Sequence, residues 1–119
     1  MSTKNDGRRH STDIDEYAIL ADEYAIYPEA NTGSIPEAMY LALGLVGESG
    51  EVAEKIKKLY RDNKLVAEDL EKELGDVFWY LTRLCAWLEV QPSTILEKNL
   101  KKLEDRKNRN VIKGNGDNR

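Results

Sequence analysis

Residues 44–55, GLVGESGEVAEK, place Gly44, Gly47 and Gly50 at every third position of what otherwise reads as one continuous helix. Glu48 and Glu51 lie between and just after them. A glycine in a helix interior costs about 1 kcal/mol relative to alanine, so three within two turns, beside two acids, need a reason. The helix around them opens at Ser34, where Ser34 and Glu37 form an S-x-x-E capping pattern with Pro36 in the first turn, and it runs to about Tyr60. At 100° per residue its apolar stripe is Leu41, Leu45, Val52, Ile56 and Leu59. Glu48 falls roughly 60° from the centre of that stripe and Glu51 roughly 120°, with Gly44 and Gly47 on the same flank.

The rest of the chain is built alike. RDNKLV, 61–66, breaks the pattern, and a helix from about Ala67 to Leu88 follows, carrying Leu70, Leu74, Val77, Phe78, Leu81, Leu84 and Leu88. Glu73 falls roughly 70° off the centre of that stripe, with Asp76 further round and Tyr80, Leu84 and Trp87 continuing down Glu73's side. Upstream, Asp13 and Glu16 start a helix whose stripe is Ile14, Tyr17, Ala18, Ala21 and Ala25 and which Pro28 ends. Downstream, VQPS turns the chain into a helix over about 93–107 with Leu96, Leu100 and Leu103. No segment alternates with period two and none repeats, so the fold class is all-α. Residues 1–12 form a polar leader, 13–107 the helical domain and 108–119 a polar tail.

Composition narrows the function. A chain of 119 residues with formal charge −4 is one small domain, thin enough in core that oligomerisation would add useful burial, and it is not a nucleic-acid-coating protein. The single cysteine, Cys85, lies among apolar residues; it excludes an internal disulfide and fits a reducing compartment. With no leader of secretory type and no apolar run of bilayer length, a soluble, cytoplasmic protein is expected. His10, the only histidine, lies in the leader, which disfavours a di-iron bundle and leaves no Ser-His or Cys-His pair.

Two helices that each carry acids at i, i+3 present both on one face, and antiparallel packing through adjacent stripes would make four carboxylates converge. Converging anions call for cations, and oxygen-only ligands select hard ones: Mg²⁺, with Mn²⁺ as a substitute. The glycines would leave either a close helix contact or a wall free of side chains against which a ligand could lie.

The spacing E-x-x-E (Glu48, Glu51), residues 52–72, then E-x-x-D (Glu73, Asp76) resembles the MazG-type all-α nucleoside triphosphate pyrophosphohydrolases. The surrounding words, YLALGLVGESGEVAEKIKKLYRD, KELGDVFWYLTRL, NLKKLEDRKNRNVIKGNGDNR and the upstream YAIYPEA, are similar to a short phage and bacterial branch of that family. The resemblance implies a four-helix bundle completed by oligomerisation, as a homodimer or homotetramer, and located in the host cytoplasm if phage-encoded. It implies hydrolysis of (deoxy)nucleoside triphosphates between the α and β phosphates, with Glu48, Glu51, Glu73 and Asp76 as metal ligands and Glu48 or Glu51 as the base. Asn99, Lys102 and Arg106, at i, i+3, i+7 on one helix face, match family positions that line the nucleotide site, and Lys58 and Arg61 follow the acids along the second helix. Tyr80, Trp79 or Tyr24 could stack on the base. Gly114 and Gly116 make no phosphate loop, but the resemblance implies that the tail orders over the nucleotide through Asp117, Asn118 and Arg119. Asn110 departs from the pattern, standing where this branch usually has glycine. Two other readings are a dUTP/dCTP-type all-α pyrophosphatase and, from another class, a non-catalytic helical adaptor, which would tolerate loss of the acids.

Overall fold

The computed structural model describes residues 13–117, and the leader 1–12 lies outside them. Four α-helices are present: α1 (Ile14–Ala21), α2 (Ile35–Asp62), α3 (Ala67–Leu88) and α4 (Pro92–Asn108). No strand occurs among the described residues. Each start follows from local chemistry. Asp13 caps α1 by accepting from the Glu16 amide at 2.7 Å, and Ser34 caps α2 by accepting from the Glu37 amide at 3.3 Å. Pro92 opens α4, and its first turn is capped from another helix: Asp15 of α1 accepts from the Ser93 amide at 2.9 Å and from the Ser93 hydroxyl at 2.5 Å. α2 and α3 end on Asn63 and Glu89, both in the left-handed region, at φ 53° and φ 60°.

α1 is shorter than its stripe and Pro28 suggest. It stops at Ala21 and tightens into a single 3₁₀ turn, Asp22–Tyr24. The reason is tertiary: the Trp79 indole donates to the Ala21 carbonyl at 3.2 Å, and Arg83 takes Asp22 at 3.1 Å. Both pull the chain out of its helical path towards α3.

The four residues joining α2 to α3 allow only an antiparallel hairpin, and this pair is the principal packing unit. α1 lies on α3, and α4 leans on α1. The apolar stripes do not close into an interior of one chain. Among the described residues the buried apolar side chains are few: Ala21, Leu41, Cys85 and Pro92. Phe78 remains 53% exposed and Leu100 66%, although both lie on stripes whose period marks them as core. Phe78, Leu81, Leu84, Leu88, Ile95 and Leu96 line an almost wholly apolar hollow of about 250 Å³ between α3 and α4. The stripes are therefore helical, as read, but within one chain they form a surface. No helix among the described residues is long and apolar enough to cross a membrane.

Candidate active site

The α2–α3 hairpin brings Glu48, Glu73 and Asp76 together, with one carboxylate oxygen of each within 4.8 Å of the others. Glu48 and Glu73 are half-buried and Asp76 is exposed. Among the described residues no Lys or Arg forms an ion pair with any of the three. Glu48 records the strain of this arrangement. Burial, a hydrogen bond with Asp76 and the charges of Asp76, Glu73 and Glu51 all push its carboxyl above the ordinary value of 4.5. Three oxygen donors of one charge, with no counter-ion among the described residues, are a set that a hard divalent cation fits. Glu51 stands outside the group of three; it is exposed, and its charge still reaches Glu48.

The glycines divide. A Cβ on Gly44 would stand 2.1 Å from a ring carbon of Tyr80, so this glycine exists to let the phenol lie against α2. Gly47 and Gly50 meet nothing within 4 Å and are open, as a wall free of side chains would be. Tyr80 shares a hydrogen bond with Tyr40 and is close enough to Glu48 and Asp76 for their charges, together with burial, to raise its hydroxyl's pKa. Its ring meets Trp79 edge-on, with centroids 5.1 Å apart. Tyr24 is 69% exposed on the 3₁₀ turn.

The basic candidates have different neighbours. Arg61 is gripped by Asp62 through two bonds of 2.8 and 2.7 Å. Lys58 lines a hollow of about 200 Å³ with Lys55, Lys64 and Asp62 at the hairpin's end. Asn99 is exposed on α4. Arg106, in contrast to a solvated basic face, is 4% exposed, and it donates to the Asp117 backbone carbonyl at 2.8 Å and to its carboxylate at 3.1 Å. Lys102 joins the same carboxylate at 3.1 Å. Hydrogen bonds from Arg106 and Lys102 hold the Asp117 carboxyl below the ordinary carboxylate range. The tail thus turns back on α4, and Asn110, where the branch has glycine, takes φ 64°, a left-handed conformation that asparagine tolerates. Asn118 and Arg119 lie outside the described residues.

A second polar centre escapes the sequence reading. Glu37, 2% exposed, does not reach back to Ser34 as a capping box would require. It accepts from the Tyr27 hydroxyl at 2.7 Å and from the Asn31 and Gly33 amides at 2.7 and 3.0 Å. Arg83, also 2% exposed, donates to the Tyr27 hydroxyl at 3.3 Å, to Asp22 at 3.1 Å and to Asn31 at 2.5 Å, and lies 3.9 Å from Glu37. The one available signal was an arginine inside the apolar run of α3, seven residues and two turns beyond Asp76.

Comparison with known proteins gives the family. The family description "MazG nucleotide pyrophosphohydrolase domain" matches residues 37–111. The "Gene 37 protein" of Mycobacterium phage L5 is 48% identical over 112 residues, covering 89% of this chain and 98% of that protein. No solved structure matches. With a family match over most of its length and the carboxylates of its two helices converging, this chain belongs to the MazG nucleotide pyrophosphohydrolase family.

Proposed function

We propose that the protein hydrolyses (deoxy)nucleoside triphosphates between the α and β phosphates in a Mg²⁺-dependent reaction, releasing the monophosphate and pyrophosphate. The observation that carries this reading is the convergence of Glu48, Glu73 and Asp76, with no ion-pair partner among the described residues. These three residues would hold Mg²⁺, with Mn²⁺ as a substitute. When bound, the cation supplies charge neutralisation for the triphosphate and acidity for the attacking water. Water attacks the α-phosphorus, the bond to the bridging oxygen breaks, and pyrophosphate leaves. Glu51, exposed and outside the group of three, accepts the water's proton, because Glu48 would be taken up as a ligand. Lys58 on α2 is offered to the phosphate oxygens directly, and Lys102 and Arg106 on α4, with Asn99 on the same helix, would reach them by exchanging the Asp117 carboxylate for a phosphate.

The apolar surface of α3 and α4 supports a homo-oligomer, dimer or tetramer, in which a second copy covers Phe78, Leu81, Leu96 and Leu100. The single buried thiol of Cys85, pushed up by burial, suits a reducing cytoplasm, the host's if the chain is phage-encoded.

Pyrophosphate release from a panel of ribo- and deoxyribonucleoside triphosphates tests the reaction, run with Mg²⁺ beside Glu51→Gln and with a Mg²⁺ titration of thermal stability as a second readout. Monophosphate and pyrophosphate in equal amounts, lost in the variant, are expected. Orthophosphate would move the cleaved bond. A folded protein that Mg²⁺ does not stabilise and that releases nothing would be an adaptor.

A further inference from the structure

We infer that Tyr40 is the platform on which the nucleobase of the substrate stacks, its outer ring face completing a three-layer stack with Tyr27 beneath. This rests on the triphosphate reading above. Tyr40, Gly44 and Glu48 follow one another at i, i+4, i+8 along α2, so Tyr40 stands a helix rise of about 12 Å from the carboxylates. That separation suits a nucleoside whose α-phosphate lies at the acids.

Tyr40 has what a platform needs. Its ring is stacked on Tyr27 at 4.9 Å and 10°, which covers one face, and among the described residues no aromatic ring meets the other. It keeps 40% of its surface exposed. The lower layer is fixed: the Tyr27 hydroxyl is held between Glu37 at 2.7 Å and Arg83 at 3.3 Å, and its ring lies edge-on to Trp79 at 5.9 Å. A phenol held this way has little freedom left to lose when a base arrives. Tyr80, the nearer aromatic, is spent differently. Its ring is pressed on Gly44 and met edge-on by Trp79, while its hydroxyl joins Tyr40 beside Glu48 and Asp76. Tyr80 therefore ties the platform to the acids and leaves the stacking to Tyr40. Because every base has a π-face, such a platform binds bases with little discrimination.

The test is equilibrium binding, with Mg²⁺, of an α,β-imido nucleoside triphosphate and of inorganic tripolyphosphate, which has no base. Wild type is compared with Tyr40→Phe, Tyr40→Ala and Tyr40→Leu, the last keeping bulk should alanine fail to fold. Tyr40→Leu and Tyr40→Ala should bind the nucleotide analogue about tenfold more weakly, with tripolyphosphate unchanged within about twofold and Tyr40→Phe close to wild type. Equal losses for both ligands would make Tyr40 merely structural, and no loss for the analogue would also overturn the inference. So would a change in oligomeric state with nucleotide affinity intact, since the face would then belong to a second copy. A wild-type protein that releases no pyrophosphate yet binds the analogue through Tyr40 sinks the reaction and keeps the platform. Wild-type binding of neither ligand overturns both.

Discussion

Two carboxylates of α2, eleven residues apart, are treated in opposite ways. Glu37 is nearly inaccessible, and burial alone would raise its pKa. The Tyr27 hydroxyl, the Asn31 and Gly33 amides and the Arg83 guanidinium outweigh that, and its carboxyl stays below the ordinary range. Glu48 is less buried, but what surrounds it is acid, and it is pushed up. Burial does not decide a carboxylate's fate; its neighbours do. The first site is internally satisfied and holds the 27–33 loop and Tyr27 in place. The second has no such partners among the described residues, which is what the proposed cation site requires.

The contrast breaks most visibly at Arg83. Arg83→Leu leaves Glu37 buried without its cation, a change of a kind that costs roughly 3–5 kcal/mol. Urea denaturation of the variant should show a loss of that order, and a loss below about 1 kcal/mol would mean that the amides and Tyr27 satisfy Glu37 unaided. At the other site the sign inverts. Asp76→Asn should reduce pyrophosphate release at least a hundredfold, about 2.7 kcal/mol, while the metal-free protein becomes slightly more stable because one repelling anion is gone. Activity with unaltered Mg²⁺ dependence would remove Asp76 from the metal site.

Much of this was legible in the sequence. The helices came from the 3.6-residue period, and the acid spacing put Glu48, Glu51, Glu73 and Asp76 on flanks expected to face each other, of which the hairpin brings three together and leaves Glu51 outside. Period reports which residues share a face, however, and not what covers that face, so Phe78 and Leu100 read as core and are surface within one chain. The Glu37–Arg83 centre was hidden for a different reason. Its partners are backbone amides and a tyrosine in a loop, brought together by chain reversal, and S-x-x-E reads the same whether the glutamate turns back to the cap or inward to an arginine. Asn110 carried a signal of its own: an asparagine in place of glycine marks a left-handed residue, and φ 64° is what the tail adopts there.

Acid titration separates the two carboxylates by a smaller effect. Glu37 titrates lower folded than unfolded, so its contribution to stability is present above 4.5 and is lost as pH falls through the folded value. Glu48 titrates higher when folded, so in metal-free protein its contribution is present below 4.5 and is lost as pH rises through its folded value. Stability measured against pH in chelator should lose its acid-side fall in Glu37→Gln and its alkaline-side fall in Glu48→Gln. Saturating Mg²⁺ should abolish only the second, because a cation favours the ionised cluster. If both variants change the same limb, the two sites are not electrically distinct.

The glycines give the finest division. Gly44→Ala would drive a methyl into the Tyr80 ring, and since the ring is also held by Trp79 and Tyr40 it has little room to yield; a loss of about 1–3 kcal/mol is expected. Gly47→Ala and Gly50→Ala meet nothing, and each should stabilise α2 by about 0.5–1 kcal/mol through helix propensity and a less flexible unfolded chain. Thermal denaturation and pyrophosphate release on the same samples tell the remaining possibilities apart. Higher stability with activity intact means that no ligand needs the bare backbone there. Higher stability with activity lost makes Gly47 and Gly50 a wall against which the substrate lies, and the helix then gives up that stability for the site. Lower stability together with a change in oligomeric state would mean that a second copy packs against them, and the cost of three glycines would be explained by Tyr80 at one position and by that copy at the other two.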